Sequence, residues 1–378
     1  MKILLVIHRF PPFIGGFELH AFQLAKKLNE LGHDLTVLTT DSLVDAPREE
    51  IMDGIKVIRA KTLFHIPKTR IPISPGIYNI KKGYDIVNVF GAIPLISDLV
   101  LIIAKLKGSK SVLNNVFDPI GDNLNLKSSL YKAVYKSYIF FGRVIISLFC
   151  DKIITWTKDY ADNSDLLKGF KKTDVIGSGV DTNIFKPRIP KKDLVDKYGL
   201  ENKKVILFVG RLDNYKGVKY LIDAIKNIEN IKLLLVGDGL ERKNLEKQVK
   251  NLKVADKVIF VGKKDQDELP YYYNLADIFI LPSVTRQEAF GKVTIEAMAS
   301  GVPAIVSELL GVKEVIDNGK AGLLIEVGNS NDIEKKLKLL LEDEKLRKGL
   351  IKKGLERVKE NYTWDIIAER TIESFKKI

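Results

Sequence analysis

The sequence predicts an α/β protein built from two doubly wound domains, each a parallel sheet with helices on both faces. The first observation is an apolar run at residues 2–7, KILLVI, which has the pattern of a buried parallel strand and precedes a helical stretch. The second is that the same strand–loop–helix order restarts at residues 203–212, KKVILFVGRL, beyond a segment rich in proline and charge. The third is the length of 378 residues, which favours two domains over one.

Composition narrows the cellular setting and the class of partner. No apolar run reaches the ~18 residues of a membrane span, and the start of the chain lacks a signal-peptide pattern. The single cysteine, Cys150, fits a reducing compartment, so we expect a cytoplasmic protein. Four histidines, all before residue 66, argue against a histidine-rich metal site. The net charge of +13 suggests an anionic partner, but since no nucleic-acid-binding motif is present, nucleic acid is not expected.

The amino-terminal half has the pattern of repeated strand–loop–helix units. After the first strand, the loop HRFPPFIGG ends in Gly15 and Gly16, and a helical pattern follows up to Gly32. Glycines at a helix start let the backbone approach a phosphate or an acceptor closely, although a simple tight turn explains them equally well. Further strands are expected within 34–40, 55–60, 84–91, 110–119, 151–158 and 173–187, with a helix at 93–108.

The segment KPRIPKK at 186–192 has the composition of a linker. It gives a first domain at 1–187, a second at 188–362 and a final amphipathic helix within 363–378. In the second domain, strands and helices alternate more clearly than in the first, which is typical of a doubly wound sheet.

The long segment at 123–150 leaves two interpretations open. Lys132, Lys136 and Arg143 fall on one side of a helical wheel, and several tyrosines and phenylalanines supply aromatic mass. One interpretation is a peripheral helix that docks onto an anionic membrane surface. The other is a buried helix pair with a solvated basic edge.

Residues 281–306, LPSVTRQEAFGKVTIEAMASGVPAIV, contain the strongest candidate site. Glu288 and Glu296 flank a short turn-prone stretch, and a helix is expected to start near Lys292. Unpaired N–H groups at a helix start bind phosphate, and carboxylates accept hydrogen bonds from hydroxyls. A sugar nucleotide, with phosphate between two polyhydroxyl ends, suits this arrangement. The alternative is that both acids merely favour the first turn of an ordinary helix.

A pair of cations is expected near these acids. The segment FVGRLDNYKG places Arg211 and Lys216 after a strand, at the sheet edge where open α/β sheets bind ligands. Two cations there can hold a diphosphate and stabilise a departing nucleoside diphosphate, although ordinary surface cations on a turn fit the pattern too. The D-x-D pattern that begins at Asp265 is interpreted as a helix cap, because Glu268 completes a capping box. No metal is therefore expected.

Four segments, taken in order, resemble the family-4 retaining glycosyltransferases. They are the amino-terminal HRFPPFIGGFELHAFQLAKKLNELGHDLTVLTT, the G-R-L…K-G segment FVGRLDNYKGVKYLIDAI, the E-x7-E signature in ADIFILPSVTRQEAFGKVTIEAMASGVPAIVSE, and the carboxy-terminal YTWDIIAE. The resemblance covers nearly the whole chain. It implies the GT-B fold, in which two Rossmann-like domains face each other across a cleft and the final helix crosses back to the first domain.

The resemblance also implies a role for each site residue. Glu296 would bind the donor ribose, Glu288 the transferred sugar, and Arg211 with Lys216 the diphosphate. The implied reaction transfers a hexose-type unit from a UDP- or GDP-sugar, with retention and without metal or other cofactor, to a glycan or lipid-linked acceptor. The catalytic group would be Arg211, Lys216, Glu288 and Asp118, and the donor-binding set Gly15, Gly16, Gly210, Arg211, Lys216, Lys263, Lys264, Glu288, Ala289, Phe290, Gly291, Lys292 and Glu296.

One position departs from the family pattern. Many members carry His-Asp where this chain has Phe117-Asp118. Because phenylalanine cannot donate a hydrogen bond, either Asp118 or Asn115 takes part of that role, or the activity is weak, or the correspondence with the family shifts at this point. Two alternative functions therefore stay open, a nucleotide-sugar epimerase of the same architecture and a catalytically weakened nucleotide-sugar-binding protein.

Overall fold

A computed structural model describes residues 1–13, 15–42, 44–65, 72–93, 96–116 and 129–378, with the side chains of 129–132 left aside. The described chain divides into two compact units, Met1–Gly179 with Trp364–Ile378, and Val180–Thr363. The carboxy-terminal segment thus returns to the first unit, as the resemblance implied.

The first unit is organised around a mostly parallel sheet. Among the described residues its strand order is β10-β9-β8-β7-β1-β2-β4-β3, with a separate β5–β6 pair, and only β3 in the large sheet runs antiparallel to its neighbour. The strands are β1 (Lys2–Ile7), β2 (Asp34–Thr40), β3 (Glu49–Met52), β4 (Ile55–Ala60), β5 (Phe64–His65), β6 (Pro72–Ile73), β7 (Ile86–Phe90), β8 (Lys110–Asn114), β9 (Lys152–Thr155) and β10 (Thr173–Val175). The sequence did not predict β3, since EEIM is short and charged and is held by pairing with β4.

Helices cover both faces of this sheet, as a buried parallel sheet requires. On one face, Leu24 and Leu28 pack with Val37 and with Phe375 of the terminal helix; on the other, Val100 lies in a second core cluster. The helices in this part of the unit are α1 (Gly16–Glu30), α2 (Ile96–Leu106), α3 (Ser129–Phe149) and α4 (Lys158–Asn163).

The second unit contains a fully parallel sheet. In its described residues the strand order is β13-β12-β11-β14-β15-β16. Successive strands are therefore added on one side of β11 up to β13, and on its other side from β14 onward. Open α/β sheets bind ligands at such a reversal of strand order, beyond the carboxyl ends of the strands. The strands are β11 (Lys204–Val209), β12 (Ile231–Val236), β13 (Val258–Gly262), β14 (Ile278–Leu281), β15 (Ala304–Ser307) and β16 (Leu323–Ile325).

The helices of the second unit surround this sheet, and the last helix of the chain belongs to the first unit. The helices of the second unit are α5 (Lys192–Tyr198), α6 (Val218–Ala224), α7 (Arg242–Asn251), α8 (Leu269–Tyr273), α9 (Lys292–Ala299), α10 (Val312–Val315), α11 (Ser330–Glu342) and α12 (Glu344–Asn361). The terminal helix is α13 (Trp364–Lys376).

The first unit ends earlier than the boundary of 187/188 drawn from the proline-rich segment. Val180 forms a parallel bridge with Thr363, and the Phe185 ring lies 5.7 Å from that of Tyr273. Residues 180–187 therefore belong to the second unit, because their contacts are there. The proline-rich composition identifies the exposed part of the connection between the units. The boundary itself is set by which unit the residues pack against.

Of the three cations that the helical wheel placed along the basic edge of helix α3, Arg143 is held by the protein itself. Arg143 donates hydrogen bonds to the carbonyl oxygens of Asp165 and Leu166, and its guanidinium lies 5.1 Å from the centre of the Phe170 ring. Lys136 is exposed, and the side chain of Lys132 lies outside the described residues. Large apolar side chains are exposed along the helix: Val134 at 56%, Phe140 at 63%, Phe141 at 62%, Val144 at 40% and Leu148 at 65%. Within the described chain, no helix combines the length and hydropathy needed to span a membrane.

Candidate functional site

The centre of the candidate site is a buried ion pair beside the strand-order reversal of the second unit. Lys216 ends a 3₁₀ turn after β11, and Glu288 lies in the loop between β14 and α9. Lys216 Nζ donates to Glu288 Oε2, and Ser283 Oγ donates to the same oxygen at 3.1 Å. Burial lowers the pKa of Lys216, but the electrostatic and hydrogen-bond contributions of Glu288 and Tyr215 together outweigh it and hold that pKa above its ordinary value. Lys216 is therefore a buried side chain that carries a positive charge.

The second acid, Glu296, lies inside α9, where the sequence placed it. Its Oε2 accepts a hydrogen bond from Tyr273 Oη at 2.9 Å, and Gln266 Nε2 donates to Oε1 at 3.4 Å. Lys292 Nζ, one turn earlier, lies 4.0 Å from Oε1. Burial raises the pKa of Glu296, while Lys292 and the two hydrogen bonds act in the opposite direction. Burial also lowers the pKa of Lys292.

A helix start lies between the two acids. Gly291 caps α9 with φ of 76°, a left-handed conformation that favours glycine, and a Cβ there would stand 2.7 Å from Leu281 Cδ2. Glycine has no side chain with which to cap the first N–H groups of α9, which therefore suit an anion. Phe290, on the other side of Gly291, is buried. The predicted phosphate-binding backbone of 290–292 is thus at this helix start.

The two predicted cations differ in their surroundings. Lys216 is buried, whereas the Arg211 side chain is 74% exposed and forms an ion pair with Asp213. Arg211 also lines an open cavity of about 340 Å³ together with Tyr215, Thr285 and Gln287. Sequence spacing treated the pair as equivalent, but only Lys216 is held by an acid of the candidate site.

The remaining predicted donor-binding residues of the second unit follow neighbouring strands, apart from Ala289 in the loop before α9. Gly210 follows β11, and a Cβ there would lie 3.6 Å from Lys216 Nζ. Lys263 and Lys264 follow β13, and Lys264 pairs with Glu268 at 3.0 Å. Glu268 Oε2 also accepts the N–H of Asp265 at 3.2 Å, which is one of the two hydrogen bonds of the predicted capping box. The N-cap residue of α8, however, is Glu268 rather than Asp265. Ala289 lies beside Glu288 and is partly buried.

The two glycines of the first unit are at the start of α1. Gly15 is the N-cap residue, and a Cβ there would stand 2.2 Å from Glu18 Oε2, so the Glu18 carboxylate folds back over this helix start. Burial raises the pKa of Glu18. The space around Gly16 is open, since a Cβ there would meet no heavy atom within 4 Å.

The position that departs from the family pattern is only partly described. Phe117 and Asp118 lie outside the described residues, so the expectation for Asp118 stays a prediction. Asn115 is buried, and its Oδ1 accepts the N–H of Ala92 at 3.0 Å. Its Nδ2 has no hydrogen-bond partner among the residues described.

Sequence reasoning missed three side chains that contact the two acids, namely Tyr273, Gln266 and Ser283. Ser283 stands two residues after β14, so its position at a strand end was a usable signal. Tyr273 and Gln266 gave none, because the helix and loop that carry them approach Glu296 only through the tertiary fold.

Comparison with known proteins identifies similar glycosyltransferases. A model of the glycosyl transferases group 1 matches residues 190–357, and one of glycosyltransferase family 4 matches residues 14–184. An uncharacterised glycosyltransferase of Methanocaldococcus jannaschii is 30% identical over 97% of this chain and 95% of its own length. The GDP-mannose-dependent alpha-(1-6)-phosphatidylinositol monomannoside mannosyltransferase of Mycobacterium tuberculosis is 26% identical over 98% of this chain and 96% of its own.

Solved structures show the same fold. Anabaena HepE, solved in complex with UDP and glucose, superposes with a TM-score of 0.79 at 20% identity and covers 100% of both chains. From these matches and the two parallel-sheet domains, the chain belongs to the family-4 glycosyltransferases and has the GT-B fold.

Proposed function

We propose that this glycosyltransferase transfers a hexose-type sugar from a UDP- or GDP-sugar to a lipid-linked or membrane-proximal acceptor, with retention and without a metal cofactor. The observation that carries the proposal is the charged Lys216–Glu288 pair beside the start of α9, with Glu296 one turn inside that helix. A cation, a helix start and two acids match a ligand with a diphosphate between two groups of hydroxyls.

The donor's diphosphate binds at the start of α9 and at Lys216. An ammonium group has three N–H donors, so Lys216 keeps its bond to Glu288 while it donates to a phosphate oxygen. As the sugar–phosphate bond breaks, negative charge grows on that phosphate, and a buried cation stabilises it more strongly than an exposed one. Arg211, which is exposed, leaves Asp213 to reach the same phosphates.

Glu288 recognises the transferred sugar. The Lys216 and Ser283 bonds both fall on its Oε2, so Oε1 is the oxygen that accepts hydrogen bonds from sugar hydroxyls. Its two partners fix the carboxylate in place, which suits orientation of the sugar rather than nucleophilic attack. We assign Glu296 to the ribose in the same way.

The test begins with donor binding. UDP-glucose and GDP-mannose are added separately to the purified chain, and a ligand at 100 times its Kd is expected to stabilise the fold by about 2.7 kcal/mol. Lys216→Met and Glu288→Gln are expected to lose that stabilisation, whereas Lys219→Met, which removes an exposed lysine nearby, is expected to keep it. Stabilisation by neither ligand would overturn the donor assignment.

The reaction itself is followed by NMR with donor and membrane lipid extract. We expect a new anomeric signal with the donor's configuration, at the same rate with and without EDTA. An inverted signal would exclude retention, and loss of activity in EDTA would exclude metal independence. Conversion of the donor to an epimer without acceptor would show the epimerase alternative.

The exposed apolar face of α3 supports an acceptor at a membrane. Five large apolar side chains on one helix of a basic protein suit the interface of an anionic bilayer. The mycobacterial relative is named for a phosphatidylinositol-based acceptor, which fits the same setting. We therefore propose a peripheral location on the cytoplasmic face of a membrane, with residues 133–148 of α3 as the contact.

A further inference from the structure

We propose that Tyr273 is a positioning residue for donor recognition, whose phenol fixes the Glu296 carboxylate so that its other oxygen can bind the ribose. This inference rests on the proposed function, because it takes Glu296 to be the residue that contacts the ribose. It adds a residue outside the family's E-x7-E signature, on a different helix.

The phenol is held rigidly. Tyr273 ends α8, is fully buried, and packs between the rings of Phe185 at 5.7 Å and Phe279 at 5.9 Å. Its oxygen lies 2.9 Å from Glu296 Oε2 and 3.2 Å from the carbonyl oxygen of Val293. A phenol has one proton, and a carboxylate accepts it more strongly than a carbonyl does, so the hydrogen bond goes to Glu296.

The two oxygens of Glu296 consequently have different tasks. Oε2 is occupied by the phenol, while Oε1 is near Gln266 at 3.4 Å and Lys292 at 4.0 Å. The Gln266 contact is long, and its side chain comes from the loop after β13, so a ribose hydroxyl can displace it. Oε1 is therefore the oxygen available to the ribose.

The phenol also favours the ionised carboxylate. Burial raises the pKa of Glu296, and the Tyr273 hydrogen bond opposes that effect. Without the phenol, the carboxylate is less fixed and more often protonated, and a protonated acid is a poorer acceptor for two ribose hydroxyls. Removing the phenol is therefore expected to weaken binding of the ribose hydroxyls, while the contacts to the base and the phosphates stay intact.

The test measures preference for ribose rather than affinity alone. UDP or GDP, whichever the parent chain binds, is compared with its 2′-deoxy and 3′-deoxy counterparts by calorimetry. Tyr273→Phe removes one oxygen and keeps the ring, and it is expected to reduce the ribose preference about tenfold, as for a lost hydrogen bond to a charged group. Affinity for the deoxy ligands is expected to stay close to the parent value.

Tyr272→Phe is the matched control. Its oxygen faces Tyr198 at 3.3 Å rather than Glu296, so the ribose preference is expected to stay. Equal weakening of ribose and deoxy ligands by Tyr273→Phe, or no change, would overturn the proposal.

Glu296→Gln separates this outcome from failure of the proposed function. If Glu296→Gln removes the preference but Tyr273→Phe does not, only the role of Tyr273 is wrong. If Glu296→Gln keeps the full preference, the ribose assignment is wrong, and the role of Tyr273 with it.

Discussion

Lys216 and Glu288, separated by 72 residues in sequence, form a buried ion pair at the carboxyl ends of two adjacent parallel strands. Neither charge is stable alone in such a setting, because an unpaired buried charge loses its hydration without compensation. The pair that we assign to donor binding is therefore also expected to contribute to the free energy of unfolding of the second unit.

Neutralising one partner is expected to cost more than neutralising both. Lys216→Met and Glu288→Gln each leave a buried charge unpaired and are expected to lower the free energy of unfolding by about 3–5 kcal/mol. The double variant is expected to lose less than either single variant. Urea unfolding of the four proteins measures this coupling, and additive losses would show that the pair does not interact.

Gly291→Ala is expected to destabilise the second unit by about 1–3 kcal/mol, because the backbone is left-handed and the new Cβ meets Leu281. Gly349→Ala, in the middle of α12 with open space around it, is the control and is expected to stabilise by up to about 1 kcal/mol. Thermal unfolding compares the two. Equal effects of the two substitutions would contradict the conformational argument.

The exposed face of α3 predicts binding to anionic vesicles. Replacing both Phe140 and Phe141 with serine is expected to weaken binding to phosphatidylglycerol vesicles at least about tenfold, because apolar area buried in the interface is lost. Ile51→Ser removes an apolar side chain that is 69% exposed on β3 and is the control. Co-sedimentation measures both, and unchanged binding of the double variant would exclude α3 as the contact.

His8 predicts a loss of stability in mild acid. Burial, with a smaller effect of the Arg9 charge, lowers the pKa of His8 to about 4. The unfolded chain takes up this proton below about pH 6.5 and the folded chain only near pH 4, so stability falls as the pH drops between these values. The contribution between pH 7 and pH 5 is expected to be about 1–2 kcal/mol. Urea unfolding at both pH values should show a smaller fall for His8→Gln, and an equal fall would count against this residue.

Cys150 is expected to resist thiol reagents in the folded protein. It is 4% exposed, and burial raises the pKa of its thiol to about 11, so little reactive thiolate is present at pH 8. Labelling with DTNB is expected to be slow without denaturant and complete in urea. Rapid labelling of the native chain would show that the first unit opens around α3 and β9.

The fold class and most elements could be predicted from the sequence, because buried parallel strands such as residues 2–7 and 204–209 are largely apolar runs. It also located α9 and its glycine cap, since Glu288, Gly291 and Glu296 lie within nine residues of sequence. Such local features can be predicted because the backbone conformation and the burial pattern of a short segment depend mainly on its own residues.

The pairing of the charged side chains could not be predicted from the sequence, because it depends on the three-dimensional fold. Lys216 forms an ion pair with Glu288, whereas Arg211 forms one with Asp213. Tyr273 donates a hydrogen bond to Glu296 from another helix. The unit boundary at Gly179, the pairing of β3 and the apolar face of α3 were likewise fixed by packing. These features depend on contacts between residues distant in sequence, whose energies no local periodicity encodes.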